Sequence, residues 1–339
     1  MDEPEFLFEL RVCRWAEQHW PPTGDRDPDS SVLVARQLGI RSRRYDTLVF
    51  ECDTAALDAR GVLGEDRLES DMLHVLTNAP SSYGYYRDVL PDPGYSWSHV
   101  RETIHDADAR GLIDTRRDGN RIEIRRRYRY PDWVNRVIAI ENKPDLSASA
   151  ADALVDQIER DVALGLADEV WIATETTDEK VSPALFERLP VEAGILAVGD
   201  EVNVAWNATT LAPEERGTRI LDRPDGGSYD QSAARFEYAD PDWKREKRRR
   251  IAERAYERGW RSYVETMRPD CRAFELRSPD TPLPYCRAKE RHVTAAECRH
   301  ACESFAPEPP AWRSNGWPID GGPGRGYTRL LARQRSRRR

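Results

Sequence analysis

The sequence predicts an α/β protein: a mixed sheet flanked by helices, carrying an inserted helical module and ending in a small cysteine-rich region. Three observations carry this. Short apolar strands alternate with helical patterns from 136 to 198, the β-α-β-α-β rhythm of a mixed α/β layer. The texture of 65–128 changes to three short helices followed by a hairpin. Four of the six cysteines fall between 271 and 302.

Each element has its own reason. Residues 5–20 read as a helix, because Phe6, Leu10, Cys13 and Trp20 fall near one face and Pro21-Pro22 stops it. A polar loop is expected next, then a strand at 45–52, rich in β-formers. Leu68, Met72, Leu73, Val75 and Leu76 mark a second helix. A short third one at 85–90 lies between Gly84 and Pro91. A fourth, at 96–110, has Val100, Ile104 and Ala107 on one face and Gly111 at its end. Leu112-Ile113, Asp118-Gly119-Asn120 and Ile122-Glu123-Ile124 read as a hairpin. An apolar strand at 136–141 follows. After it come a helix at 148–166 (Ala150, Leu154, Ile158, Val162 and Leu166 at helical spacing), a strand at 170–173, a helix at 183–189 and a strand at 194–198. Residues 207–240 are loop-rich, and 242–267 read as a strongly charged helix. From 306 the chain is dense in Pro, Gly and Arg and reads as a mobile tail. The organisation predicted is a core in two parts, 1–64 and 129–206, interrupted by the module 65–128. A charged-helix and four-cysteine region, 207–305, and the tail 306–339 complete it.

Composition bounds the function. The 339 residues suffice for two or three domains. Hydrophobic residues make up 39% and charged residues 33%, which supports packed cores and excludes a wholly disordered chain. Net charge is -8, so a uniformly basic coat is excluded while local basic patches are not. Only Lys143, Lys180, Lys244, Lys247 and Lys289 are lysines; the remaining basic residues are arginines. An acidic, Arg-rich, Lys-poor chain suits a GC-rich genome and a salty cell. No apolar run is long enough for a membrane helix, and the start MDEPEFLFEL lacks the basic region and cleavage site of a signal peptide. A cytoplasmic protein that does not engage membranes is expected. The oligomeric state is open, a dimer among the options. Phosphate loops, zinc-protease helices and nucleophile elbows are absent from the sequence.

The sharpest chemistry lies in Val137-Ile138-Ala139-Ile140-Glu141-Asn142-Lys143. Glu141 and Lys143 are two apart at a strand end, so one face gathers a carboxylate and an ammonium. Such a carboxylate holds Mg2+ through oxygen, and such an ammonium orients water or offsets transition-state charge. The alternative is a strand-end salt bridge, worth little. Asp178-Glu179-Lys180 and Asp242-Trp243-Lys244 share the spacing, but only Glu141-x-Lys143 ends an apolar strand followed by a helix. Asp46 opens the earlier strand and could share a metal with Glu141 if the strands are neighbours. Asp132, in a literal Pro131-Asp132, is its rival. Asp46 is preferred because an apolar strand follows it directly. Glu9 lies on the first helix and Gln157 on the helix after Lys143; the alternative for both is a solvated helix residue.

Helix-Glu, strand-Asp, strand-Glu-x-Lys and helix-Gln, in this order, resemble the core of the PD-(D/E)xK (restriction-endonuclease-like) nuclease superfamily, over about residues 1–55 and 130–200. The resemblance implies a restriction-endonuclease-like sheet and Mg2+- or Mn2+-dependent hydrolysis of DNA, in repair or defence. It puts the metal on Asp46 and Glu141, catalysis on Lys143, metal support on Glu9 and a backbone or phosphate contact on Gln157. The alternative is a catalytically inactive DNA-binding regulator. The whole chain also resembles a family from halophilic archaea, which matches its composition and supplies no activity.

The 65–128 module resembles a winged helix-turn-helix. In that reading Arg116, Arg117, Arg121, Arg125, Arg126 and Arg127 line the wing and its exit as a phosphate-binding patch; a protein-interaction module is the alternative. The basic residues of 244–261 read as a solvated face with pairs such as Glu246–Arg250 and Glu257–Arg261, a nucleic-acid contact staying open. Cys271, Cys286, Cys298 and Cys302, spaced C-x14-C-x11-C-x3-C, can close a structural Zn2+ site. A [4Fe–4S] cluster or plain reduced thiols are the alternatives. Cys13 and Cys52 read as buried core thiols.

Overall fold

A computed structural model describes residues 5–24, 26–64, 66–144, 148–175, 189–221, 235–265, 267–268, 271, 273–277, 283–299 and 302–307. Nearly all of the expected helix at 183–189 and of the expected tail lies outside these residues.

The centre is a six-stranded mixed sheet. Its strands are β1 (Ser30–Ile40), β2 (Arg43–Asp53), β6 (Val134–Asn142), β7 (Glu169–Glu175), β8 (Gly194–Val198) and β9 (Val202–Trp206), in the spatial order β1-β2-β6-β7-β8-β9. The pairs β1–β2, β2–β6 and β8–β9 are antiparallel; β6–β7 and β7–β8 are parallel. Helices cover both faces, so the central strands bury both sides and read as continuous apolar runs. On one face, α1 (Glu5–His19) packs Phe8, Leu10, Val12 and Ala16 against Val49, Ile138, Ile140 and Trp171. Trp260, Tyr263 and Phe274 join the same cluster. On the other face, α6 (Ala148–Leu164) sets Leu154 and Ile158 over Val170, Ile172 and Ile195.

Between β2 and β6 the chain makes α2 (Thr54–Gly61), α3 (Ser70–Asn78), β3 (Gly84–Tyr85), α4 (Tyr86–Val89), α5 (Trp97–Ala109), β4 (Ile113–Asp118) and β5 (Arg121–Arg126). The three short strands form a separate sheet, β3-β5-β4. Ser96 caps α5 through the Ser98 amide. In the hairpin Asp118 pairs with Arg121, leaving the two-residue turn Gly119-Asn120, in which Gly119 takes φ 58°. Leu73, Leu76, Val100 and Ile104 share one core with Leu48, Phe50 and Val137 of the large sheet.

The charged segment expected as one helix over 242–267 is α7 (Pro241–Arg258), followed by a 3-10 turn, Trp260–Glu265. Its basic side chains are not a free solvated face. Lys244 is 1% exposed and donates to the carbonyls of Leu164, Gly165 and Ala212 at 3.4, 2.9 and 3.2 Å. It thereby satisfies the open C-terminal end of α6. Arg248 bonds the Leu166 carbonyl and Asp168, and Arg254 the Gly39 carbonyl. Glu246–Arg250 forms as expected, but Arg261 pairs with Glu17 rather than Glu257.

Three further expectations are corrected. The polar loop after α1 contains β1, an edge strand in which Gln37 takes φ 54° while the register with β2 stays unshifted on either side of it. The loop-rich 207–240 contains a hairpin, β10 (Gly217–Leu221) with β11 (Arg235–Ala239). The cysteine-rich region contains a three-stranded sheet of β12 (Phe274–Arg277), β13 (Leu283–Cys286) and β14 (Arg291–His292). No helix among the described residues is long and apolar enough to cross a membrane.

Both stems of the segment between β2 and β6 end on one carboxylate. Glu253 of α7, 1% exposed, receives Arg60 Nε and Nη2 at 2.7 and 2.5 Å, the Leu68 amide at 3.1 Å and the Tyr130 hydroxyl at 2.8 Å. Removing one partner of such a pair strands a buried charge. Arg60→Ala is expected to cost about 3–5 kcal/mol in urea unfolding, whereas Arg245→Ala, at the exposed pair with Asp242, should change stability by less than about 0.5 kcal/mol.

Candidate functional site: a carboxylate–lysine cluster at the end of β2 and β6

The antiparallel register places Thr47 opposite Ile140, so Asp46 and Glu141 meet across neighbouring strands. The Asp46 carboxylate is half-buried; Oδ2 accepts the Asn142 amide at 3.1 Å and Oδ1 accepts Gln37 Nε2 at 3.2 Å. That Gln37 amide also reaches Glu9 Oε1 at 2.9 Å, so Glu9 of α1 and Asp46 of β2 share one donor. The positive φ of Gln37, sparsely populated for a residue with a side chain, thus sits directly beside the carboxylates. Glu9 is otherwise held by Arg36, at 3.1 and 2.5 Å.

Glu141 is 6% exposed. Its Oε2 accepts Arg43 Nη2 at 3.0 Å, and Arg43 in turn grips Asp161 of α6. Burial, with the Asp46 charge behind it, pushes the Glu141 carboxyl up to about 7 despite Arg43. Burial likewise raises Glu9 and Asp161. Gln157 faces Glu141 closely enough to ease its charge, yet its buried Nε2 completes no hydrogen bond. The Asn142 side chain, 1% exposed, bonds Thr47 through Nδ2 and leaves Oδ1 without a partner.

Lys143 lies one residue past β6. Its ammonium bonds Glu5 of α1 at 2.9 Å and is one-third exposed. Burial alone lowers its pKa, but Glu5, Glu141 and Asp46 outweigh burial and leave it raised. The structure therefore brings Glu9, Asp46, Glu141, Lys143 and Gln157 together. Asp132 is not among them. It lies before the opposite end of β6, with its side chain 81% exposed and Arg249 at 3.7 Å. A strand of this length separates it from Glu141 by roughly 30 Å. Sequence reasoning missed Gln37, Arg36, Arg43 and Asp161, whose only cue is tertiary contact.

Asp46 and Glu141 offer hard oxygen donors. Among the described residues no group of three or more His, Cys, Asp or Glu is arranged to hold a metal. A two-carboxylate set suits Mg2+, which keeps several waters and binds through one or two carboxylates.

The basic patch expected on the hairpin is largely paired. Arg116 bonds Glu123 at 2.6 Å; Arg125 and Arg127 both bond Asp114, at 2.6 and 2.5 Å. Arg116 and Arg125 also lie over the Tyr83 ring and Arg121 over Tyr85. Arg126 is half-buried along β5. Arg117 and Arg121, with Arg101 and His105 of α5, line an open cleft of about 470 Å³. In the C-terminal region Cys271, Cys286 and Cys298 are buried and Cys302 half-buried, all as free thiols. Burial, then Cys271, Cys302 and Cys286 nearby, push the Cys298 thiol up to about 11. The Ala306 amide donates to the Cys271 sulfur at 3.4 Å. Cys13 and Cys52 are core thiols, both fully buried.

Fold and site together define a mixed α/β protein with a carboxylate–lysine cluster at the end of its two central antiparallel strands. The chain belongs to the family of unknown function DUF5787, whose family model matches residues 33–307. That span takes in Asp46, Glu141, Lys143, Gln157 and the four clustered cysteines, and leaves out Glu5 and Glu9. No curated protein and no solved structure matches the chain.

A raised carboxyl pKa has a definite linkage sign. Between the ordinary value of 4.5 and about 7 the native chain holds a proton on Glu141 that the unfolded chain has lost, so stability falls as pH rises through this window. In EDTA, calorimetric melting should show this decline, and Glu141→Gln should flatten part of it. An unchanged slope in that variant would contradict the assignment.

Proposed function

We propose that this chain is a divalent-metal-dependent nuclease that hydrolyses DNA phosphodiester bonds, on the PD-(D/E)xK plan, in repair or defence. The convergence of Asp46 and Glu141 with the Lys143 ammonium in their field carries the reading. The chain order supports it: helix with Glu9, strand with Asp46, strand ending in Glu141-x-Lys143, helix with Gln157.

In this reading Asp46 and Glu141 hold Mg2+ or Mn2+, and Glu9 supports Asp46 through Gln37. Bound there, the metal supplies Lewis acidity and a more acidic water. Lys143 keeps its proton because its pKa is raised, so it acts as a hydrogen-bond donor to the attacking water and to developing phosphoryl charge, not as a base. Glu141 binds metal as a carboxylate, so metal binding should weaken as pH falls through about 7.

The helices α3, α4 and α5 with the β3-β5-β4 sheet support a winged-helix reading of the inserted segment. Its DNA-facing groups are then Arg101, His105, Arg117 and Arg121, which line one cleft, rather than the Asp114- and Glu123-paired arginines. A second reading, an inactive DNA-binding regulator, is favoured by one observation: Arg43 and Arg36 already occupy Glu141 and Glu9. A structural Zn2+ on the four cysteines, with [4Fe–4S] as the alternative, is proposed from their spacing and proximity; among the described residues they are not arranged as a metal-holding group. Cys298 lies within electrostatic reach of the other three, and a backbone amide donates to the Cys271 sulfur.

Two measurements test these readings. At high salt with Mg2+ or Mn2+, the purified protein should cut linear, nicked, branched or single-stranded DNA, while Lys143→Ala should not. Binding without cutting selects the regulator, and cutting by Lys143→Ala overturns the site. Elemental analysis should find about one Zn2+ per chain, lost in Cys298→Ser; chains free of zinc and iron would leave reduced thiols.

A further inference from the structure

We infer that Arg43 is a phosphate-binding residue of the carboxylate site, donating the same Nη2 either to Glu141 or, once Glu141 ligates a divalent cation, to a phosphodiester oxygen. The inference rests on the metal-binding reading above and names the group that would recognise the anionic substrate.

Arg43 is held as a fixed cation. Its Nε reaches both Asp161 oxygens, at 2.9 and 3.0 Å, and its Nη2 reaches Asp161 Oδ2 at 2.7 Å. The Asp161 side chain is 2% exposed. Nη1 bonds the Arg44 carbonyl, and the Tyr45 ring lies under the guanidinium at 4.7 Å. These contacts fix the guanidinium plane, a geometry that suits bidentate and planar anion recognition. They leave one Nη2 hydrogen bond to be placed, and it points at Glu141 Oε2, 3.0 Å away. The Arg43 side chain keeps 17% of its surface exposed. A cation on Glu141 competes with Arg43 for the carboxylate charge. A cation held by Glu141 would leave that donor for a phosphate oxygen.

A separate observation supports the same place. Gln157 lies four residues before Asp161 on α6, hence on the same helix face. Its Nε2 is buried and unsatisfied, which costs free energy unless an acceptor arrives. Two donors thus flank Glu141: Arg43 Nη2, bonded to the carboxylate, and Gln157 Nε2, which faces it without completing a hydrogen bond.

The test uses the full chain and the paired variant Arg43→Gln/Asp161→Asn, which removes the cation without stranding a buried carboxylate. Mn2+ affinity at pH 8 is read by calorimetry. Binding of a fluorescein-labelled DNA oligonucleotide is read by anisotropy, in Ca2+ and in EDTA at fixed salt. Mn2+ should bind the variant at least as tightly as the wild type, because a competing cation is gone. The Ca2+-dependent gain in DNA affinity should fall about tenfold or more, the loss of one charge-assisted hydrogen bond. Arg43→Lys, which keeps the charge but not the fork, should fall between the two. An unchanged Ca2+-dependent gain overturns the role of Arg43. A parallel loss of Mn2+ and DNA binding overturns it too, by making Arg43 a structural brace. A wild-type chain that binds no Mn2+ overturns the carboxylate-site reading first, and this inference with it.

Discussion

Glu253 closes this chain on itself. Its carboxylate is buried with Arg60 and takes the Leu68 amide and the Tyr130 hydroxyl as well. Those residues stand at the entry to and exit from the segment that separates β2 from β6. Two strands far apart in sequence pair only if the intervening chain returns to its start, and the entropy of closing that loop opposes them. A fully satisfied buried network anchored on α7 offsets that cost and orients the insertion against the sheet. Trp133 extends the network by donating to Tyr130, immediately before β6 begins. The pairing of β2 with β6 is thus backed by an ion pair that is not itself part of the carboxylate cluster.

That register makes the cluster. Asp46 and Glu141 have no sequence relation, and the strand pairing forces them together at a buried sheet end where charge is poorly solvated. The surroundings answer with cations and donors: Arg36 on Glu9, Arg43 on Glu141, and Gln37 between Glu9 and Asp46, while the Lys143 ammonium donates to Glu5. Glu9, Glu141 and Asp161 are each held by an arginine rather than left as bare buried charge. Residues that brace the fold thus differ from those that tune the site, since Arg60, Lys244 and Arg248 satisfy buried carbonyls and carboxylates of the scaffold. The Arg-rich character of α7 has this structural meaning first.

Much of the architecture was legible from local pattern. The apolar runs of β2, β6 and β7, the stripe of α1, the helix α5 and the Gly119 turn are decided within a few residues, and they stand where local pattern puts them. The element β1 escaped because Arg36 and Gln37 break its alternation, and the same break serves the site. The hairpin β10–β11 and the strands around the cysteines escaped because they are short and lie in segments rich in turn-forming residues. The hairpin arginines looked like a patch because a charge run shows its sign but not its partners. Asp114 and Glu123, across the same hairpin, cancel three of them.

By itself, then, the sequence determined the mixed α/β class, the order of most elements and the chemistry available at Glu9, Asp46, Glu141, Lys143 and Gln157. Periodicity and side-chain chemistry act locally. Tertiary structure settled that Asp46, which the sequence already preferred to Asp132, faces Glu141, and it alone decided that Lys143 reaches Glu5 and that Arg43 and Asp161 complete the cluster. Each of these depends on a strand register or a helix docking between residues distant in the chain, which no local pattern encodes. Burial sets the charge state of Glu141, and burial exists only once the sheet and both its helical layers have closed around it.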